Sequence, residues 1–343
     1  MLPFSAFYWM VITARNWFFD IGILRVTHVN VPVISVGNIS TGGTGKTPFV
    51  ESLARRMQSR KKNPAILSRG YGRKTKGFLL VSDGRSIVTS SKDAGDEPIQ
   101  MAGHLKSVVV AVGEDRVSAA ERIVANSSAD SIVLDDGFQH RYLHRDLDLV
   151  LLTAREVFEN GWLLPAGNRR ETLASLKRAN AVIISKCKDV RQYEHAKGKM
   201  PGWIADKVAG FRLVPKSLRS VSSGKSIDLR STNGTPVMIF SGLGDPRSFR
   251  RSVEGCGCVV VRENEFPDHH WYSEIDLKRL EYEFRDSKAE FAVTTEKDLV
   301  RLRSLENWEQ GLPDRGWLHV LEIEIEFVAG EEMIDGLIQN VTR

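Results

Sequence analysis

A chain of 343 residues with 42% hydrophobic and 27% charged residues can bury the cores of one large or two medium domains, and this composition excludes a disordered polymer. A net charge of +5 and a pI near 9.0 allow an anionic partner, whether a phosphorylated substrate, nucleic acid or an acidic membrane, without choosing among them. Cys187 stands alone and Cys256 and Cys258 are near neighbours, which excludes a disulfide framework or a paired zinc knuckle and fits a reducing cytosol.

Residues 2–24 carry Phe4, Phe7, Tyr8, Trp9, Trp17, Phe18 and Phe19. Arg15 and Asp20 interrupt the run, so no uncharged stretch approaches the ~20 residues that cross a bilayer. No basic residue precedes the apolar part, as a secretory signal would require. Two readings stand for a helix here. One packs it on the protein core; the other lays it in the headgroup region of a membrane, with Arg15 and Arg25 near anionic lipid.

The strongest local signal follows. A β-branched run (Val33, Ile34, Val36) stops at a glycine cluster, and Gly45-Lys46-Thr47 then opens a helix through Arg56. Strand, loop and helix in that order are the context of a phosphate loop. Ser40, Thr41, Gly42, Gly43, Thr44, Gly45, Lys46 and Thr47 form it: glycines leave backbone N–H groups free to turn toward phosphate, and the helix start adds partial positive charge. Lys46 reaches the β- and γ-phosphates and the Thr47 hydroxyl ligates Mg²⁺. The loop departs from the common pattern at Ser40, where glycine usually stands, and Thr41 replaces the lysine often found in related ATPases.

The second strand, Pro64 to Leu67, runs into Ser68-Arg69-Gly70-Tyr71-Gly72-Arg73, a basic and aromatic loop suited to phosphate or sugar. A hairpin over Phe78 to Val88 leads to Gly95-Asp96-Glu97-Pro98 and a helix. Asp96 and Glu97 either cap that helix or place a base near the nucleotide. Strand Val108 to Val112 precedes Gly113-Glu114-Asp115-Arg116. Strand Ile132 to Leu134 ends in Asp135-Asp136-Gly137-Phe138-Gln139-His140, the form of the second nucleotide motif, whose paired carboxylates hold Mg²⁺ directly or through water. Strands Leu147 to Leu152 and Ala181 to Ile184 enclose Leu164-Pro165-Ala166-Gly167 and Arg170-Glu171. This alternation predicts a doubly wound, mainly parallel α/β sheet with ligands at the strands' carboxyl ends.

The pattern loosens after residue 186. The expected organisation is an apolar amino-terminal helix at 1–28, a nucleotide-binding domain at 29–210, a linker at 211–235 and a smaller α/β domain at 236–343. The last contains strand Pro236 to Phe240, strand Val259 to Val261, Phe266-Pro267-Asp268-His269-His270, helix Ile275 to Phe284 and strand Phe291 to Thr294 before Thr295-Glu296-Lys297-Asp298. The adjacent histidines lack the further ligands of a metal site. A proton-handling histidine oriented by a carboxylate fits better, beside the plainer reading of a helix cap.

Taken together and in order, these segments resemble the tetraacyldisaccharide 4′-kinase family of lipid A biosynthesis. The matching pieces are Val36 to Pro48, Leu67 to Arg73, Gly95 to Pro98, Asp135 to His140, Leu164 to Gly167 with Arg170-Glu171, Phe266 to His270 and Thr295 to Asp298. The resemblance implies an ATP- and Mg²⁺-dependent kinase that phosphorylates the 4′-hydroxyl of an acylated glucosamine disaccharide 1-phosphate to give lipid IVA. It implies a peripheral protein on the cytoplasmic face of the inner membrane of Gram-negative bacteria, and so decides the amino-terminal helix in favour of membrane contact. Carried over position by position, Lys46 stabilises the transferred phosphoryl group, and Thr47, Asp136 and Glu171 meet the metal. Asp96 acts on the sugar hydroxyl with His269, or else with His270. Arg69, Tyr71, Arg73, Arg116, Gln139, His140 and Arg170 position substrate or phosphate. If Asp96 belongs to the first domain and the histidine to the second, the site would form by closure of the two.

The alternative from another class is a P-loop GTPase-type switch or metallochaperone. Such proteins read guanine through Asn-Lys-x-Asp, and Ser185 to Asp189 and Thr295 to Asp298 lack its asparagine. A nucleic-acid-binding ATPase has only the pI in its favour, so no nucleic acid is expected as partner, and nothing in the sequence calls for an obligate protein partner.

Overall fold

The computed structural model describes every residue except 159, 160, 307, 312 and 343. The chain forms two compact units, one of Met1–Thr89, Met101–Leu213 and Ile325–Arg343, the other of Ser90–Gln100 and Val214–Glu324.

Strands Val33–Asn38, Pro64–Ser68, Ser131–Asp135 and Ala181–Ser185 of the first unit are buried at every position. That is why they read as unbroken apolar runs: a parallel strand is covered on both faces. Across the sheet of this unit the order is Leu79–Asp83, Val109–Val112, Pro64–Ser68, Ser131–Asp135, Val33–Asn38, Leu147–Thr153, Ala181–Ser185 and the start of Val208–Ser220. Leu79–Asp83 is antiparallel to its neighbour; the pairs from Val109–Val112 through Val208–Ser220 run parallel. The chain builds outward from Val33–Asn38 on one side, returns beside it with Ser131–Asp135, and resumes on the other side at Leu147. Val33–Asn38 therefore stands at the reversal, where ligand crevices of open α/β sheets lie. The mainly parallel α/β architecture agrees with the expectation from sequence.

Helix Lys46–Ser59 buries Phe49, Val50, Leu53, Ala54 and Met57 against this sheet. Its Arg56 pairs with Glu331 at 2.5 Å and Asp335 at 3.1 Å on helix Glu331–Val341. Those pairs help to place the carboxyl-terminal helix in the first unit, against the sequence-based division that gave 236–343 to the second.

In the second unit Val259–Glu265, Pro236–Ser241, Phe291–Thr295 and Leu318–Ala329 are successive neighbours, with Met238, Phe240, Tyr272, Leu280 and Trp308 in one core cluster. Segment Ser90–Gln100 also belongs here, tied down by Arg301 on Asp96 and Lys297 on Glu97. Asp96 and the histidines thus share a unit, and the expectation that closure of two domains brings them together is withdrawn.

The expected linker at 211–235 is also corrected, since much of it is strand Val208–Ser220. Its basic residues meet acids that alternate along Leu318–Ala329: Arg212 with Glu326 at 2.6 Å, and Arg219 with Glu322 at 2.6 Å.

The amino-terminal helix, Leu2–Asp20, buries Ser5 and Phe19 and leaves Phe4, Phe7, Trp9, Met10, Val11, Trp17 and Phe18 exposed. Apart from Phe19, whose ring meets Tyr142 edge-on at 4.9 Å, its inward contacts are polar. The Ser5 hydroxyl donates to the Leu163 carbonyl at 3.0 Å, the Tyr8 hydroxyl to the Arg170 carbonyl at 3.2 Å, and the Asn16 amide to Glu171 at 3.0 Å. This excludes the reading of an aromatic stripe packed on the core. Among the described residues, no helix is long and apolar enough to cross a membrane.

Gly37 lets the strand before the phosphate loop approach Phe138, since a Cβ there would lie 2.5 Å from the Phe138 Cβ. We expect Gly37→Ala to reduce unfolding free energy by ~1–3 kcal/mol through overpacking. The measurement is the urea midpoint at unchanged slope; a wild-type midpoint would show that the contact yields without cost.

Candidate active site

Gly45, at φ 81°, caps helix Lys46–Ser59 in a left-handed conformation and turns the loop toward the helix N-terminus. The loop is held from outside by groups that sequence reading passed over. The Ser40 hydroxyl donates to Glu156. Thr41 N–H donates to the Asn168 carbonyl at 2.7 Å, and the Asn38 amide reaches the Thr44 hydroxyl at 3.3 Å. Asn38 is fully buried and its Oδ1 has no hydrogen-bond partner. The space over the loop is open: a Cβ on Gly42 would meet nothing within 4 Å, and one on Gly43 only the Lys186 ammonium at 3.9 Å.

Asp136 stands opposite the loop with φ 53°, a left-handed conformation that Asp tolerates better than most residues. Its carboxylate meets the Lys46 ammonium at 3.2 Å and the Arg170 guanidinium at 2.9 Å. Burial alone would raise its pKa, but Lys46 and Arg170 outweigh that and hold it below the usual carboxylate range. The preceding Asp135 accepts from the Ser68 hydroxyl at 2.8 Å. The structure thus joins Lys46, Asp136 and Arg170, which lie far apart in sequence, at the carboxyl ends of neighbouring strands.

Glu171, expected beside the metal, is 1% exposed and surrounded by donors. Arg178 donates to both its oxygens at 3.1 and 2.9 Å, Gln139 to one at 3.1 Å and Asn16 to the other at 3.0 Å. Its carboxylate could meet a metal only by giving up part of this shell.

The remaining expected positioning residues divide by exposure. Tyr71 is 75% exposed on its loop, and Arg69 is exposed beside it. Arg73 is turned inward onto Glu114 at 2.7 Å, with its Nε and one terminal nitrogen buried and unpaired. Arg116 is buried, donating to the Gly113 carbonyl at 2.6 Å. Burial pushes its pKa down to about 10, and it stays cationic at neutral pH. Burial and the nearby charge of Arg116 push His140 down to about 4, so its ring is neutral at pH 7, with Nδ1 buried and unpaired.

In the second unit, Asp96 opens helix Asp96–His104, and its Oδ1 accepts the Glu97 N–H at 2.9 Å. Its Oδ2 lies 3.0 Å from Arg301 Nε and 3.7 Å from His269 Nδ1. Burial would raise the Asp96 pKa; the interaction with His269 and the charges of Arg301 and Lys297 reverse this and hold it well below the usual carboxylate range. Asp96 in turn raises the pKa of His269 against the opposing effect of burial. His269 has φ 60°, a backbone outlier of the kind that gathers at functional positions.

Of the two histidines, only His269 lies at Asp96. His270 Nε2 is 3.2 Å from Asp276 Oδ2, within the capping box of helix Glu274–Asp286, and its ring stacks on Phe266. The plainer reading of a helix cap therefore applies to His270. Lys297 and Asp298, weighed as fragments of a guanine-reading motif, are occupied by Glu97 and by Gly242 N–H, Tyr272 and Thr295 respectively.

The whole chain has clear relatives. Residues 1–342 match the family described as LpxK, Tetraacyldisaccharide-1-P 4′-kinase. A protein of Syntrophus aciditrophicus named tetraacyldisaccharide 4′-kinase is 39% identical over 88% of this chain and 84% of its own length. The protein of that name from Aquifex aeolicus is 39% identical over 90% of each chain. A crystal structure of LpxK from Aquifex aeolicus, solved in complex with ATP, superposes with a TM-score of 0.81 at 34% identity, over 100% of this chain and 98% of that one. The chain belongs to the tetraacyldisaccharide-1-P 4′-kinase family.

Proposed function

We propose that this protein transfers the γ-phosphoryl group of ATP to the 4′-hydroxyl of a tetraacyl disaccharide 1-phosphate, with Lys46 on the phosphoryl group and the Asp96–His269 pair on the hydroxyl. The observation that carries this reading is the presence of both chemical requirements in one family member: an open, lysine-bearing phosphate loop and a carboxylate–imidazole pair. Phosphoryl transfer depends on positioning and charge neutralisation, and Lys46 and Arg170 supply fixed cations for it. Both are paired with Asp136 in this structure, and an arriving polyanion competes for them. As the new O–P bond forms, the bond from the γ-phosphorus to the bridging oxygen breaks and ADP leaves with that oxygen, while the hydroxyl proton passes to the Asp96–His269 pair.

The residues at the loop suit Mg²⁺. Among the described residues there is no cluster of three His, Cys, Asp or Glu side chains able to hold a metal alone, and Mg²⁺ characteristically takes one or two carboxylates and completes its shell with phosphate and water. Thr47, Asp135 and Asp136 are the groups of this chain that would hold it. When bound, the ion neutralises phosphate charge. Arg69 and Tyr71 reach outward toward substrate, while Arg73 and Arg116 stiffen the loops behind them.

The amino-terminal helix supports peripheral contact with the cytoplasmic face of the inner membrane. Its outward face carries Phe4, Phe7, Met10 and Trp17, side chains that favour the headgroup region, and a substrate anchored by acyl chains is met at a lipid surface.

Four substitutions and a binding assay test this reading. In detergent micelles holding the tetraacyl disaccharide 1-phosphate, Lys46→Ala should abolish γ-phosphate transfer while the protein stays folded. His269→Ala should lower kcat ~100-fold or more, as expected for loss of a general base, and His270→Ala should keep kcat near wild type. Equal losses at the two histidines would remove His269 from its role. Glu171→Gln should reduce stability by ~1–3 kcal/mol without metal or nucleotide, because it weakens the buried partner of Arg178. A wild-type urea midpoint for that variant would show that Arg178 does not depend on it. Replacing Phe4, Phe7 and Trp17 by serine should release the protein from anionic vesicles in a flotation assay while activity on micellar substrate survives; undiminished flotation would take this face out of membrane contact.

A further inference from the structure

The hydroxyl-activating pair depends on a residue that no motif singled out. Arg301 lies near the end of the short helix Glu296–Leu302 and is 1% exposed. Its Nε donates to Asp96 Oδ2 at 3.0 Å, and one terminal nitrogen lies between that oxygen and His269 Nδ1, 3.2 Å from the latter. The other terminal nitrogen donates to the Gly242 carbonyl at 3.1 Å and faces Asp298 Oδ1 at 3.4 Å. Asp298 is itself fixed: its Oδ1 accepts from Gly242 N–H at 3.0 Å and the Tyr272 hydroxyl at 3.0 Å, and its Oδ2 from Thr295 Oγ1 at 2.6 Å. The guanidinium is thus clamped on one side and aimed at the pair on the other.

We propose that Arg301 is the positioning residue of the Asp96–His269 pair, holding the carboxylate in place beside the imidazole. The inference rests on the reading that this pair acts on the acceptor hydroxyl. Guanidinium nitrogens only donate, and two of them meet Asp96 Oδ2, which keeps that oxygen ionised and fixed 3.7 Å from His269 Nδ1. When the pair takes up the hydroxyl proton, the positive charge on the ring forms beside a carboxylate already held in place. A lysine cannot replace it, because one ammonium cannot meet Asp96, His269, Gly242 and Asp298 in a planar fork.

The experiment compares wild type, Arg301→Lys, Arg301→Ala and Asp298→Asn in three readouts: the kcat and KM of transfer, the response of Arg301→Ala to added guanidinium chloride at low millimolar concentration, and the ¹⁵N shifts of His269 without substrate. Arg301→Lys should lower kcat ~100-fold, the scale of a misplaced catalytic group, with the KM for ATP little changed. Guanidinium should restore part of the activity of Arg301→Ala, and the ¹⁵N resonances of His269 should move in both Arg301 variants as Asp96 leaves its place beside the ring. Asp298→Asn, which keeps the guanidinium but loosens its clamp, should show a smaller loss of kcat and serves if Arg301→Ala does not fold. A folded Arg301→Lys with wild-type kcat and unchanged His269 ¹⁵N resonances would overturn the proposal. These resonances are read without substrate, so they separate an inert Arg301 from a mistaken acceptor: in the second case they move although no variant, wild type included, forms product.

Discussion

The carboxylate of Asp136 lies between the Lys46 ammonium and the Arg170 guanidinium, and through it three stretches of chain are fixed to one another. Lys46 comes from the phosphate loop, Asp136 from the end of the adjacent parallel strand, and Arg170 from the segment that bridges back to Ser40. Two cations this close repel each other unless an anion stands between them. Asp136 stands in that position and is kept ionised by the same two charges. The loop is therefore held ready for phosphate with its positive charge balanced, and the rest of the first unit serves this arrangement. Gly37 admits Phe138 close to the strand, Asn38 steadies Thr44, and Glu156 holds Ser40.

The second unit solves the same electrostatic problem with the signs exchanged. Its buried cation is Arg301, and carboxylates converge on it from two sides, Asp96 and Asp298. An unpaired charge at such a site would be strongly destabilising, so Arg301 both requires Asp96 and holds it. That requirement explains why Ser90–Gln100, flanked in sequence by strands of the first unit, is counted with the second. The carboxylate and the imidazole are assembled by packing inside one unit.

What could be read from the sequence follows the range of the interactions involved. Strands such as Val33–Asn38 and Ser131–Asp135 announce themselves because burial on both faces leaves only apolar residues. The phosphate loop and the paired acids are legible because their chemistry is local to a strand end. Strand Val208–Ser220 reads as a linker from sequence because its basic residues find their acids about a hundred positions later, on Leu318–Ala329. The choice between His269 and His270 stayed open for a related reason: adjacent residues share every local signal, and only the fold turns one toward Asp96 and the other toward Asp276. Arg301 gave no signal, reading as an ordinary basic residue near the end of a short helix, and Asn16 was hidden among aromatics.

That last residue bears on the amino-terminal helix, whose polarity is the reverse of a soluble amphipathic helix. It turns Ser5, Tyr8 and Asn16 inward to hydrogen bonds with Leu163, Arg170 and Glu171, and leaves Phe4, Phe7, Trp9, Trp17 and Phe18 outward. In water such a face is unfavourable, since each large apolar side chain that could be buried contributes about 1.5–3 kcal/mol when it is. The cost is removed if the outward face enters a lipid headgroup region, as proposed above. The inward contacts also rule out a helix that floats free of the enzyme. Tyr8 and Asn16 hydrogen-bond to the segment carrying Arg170, which meets Asp136 and through it Lys46. The aromatic surface is therefore joined by a short series of polar contacts to the charges of the phosphate loop, and a lipid-facing helix in this position would hold that loop close to the surface where the acyl chains of its substrate are embedded.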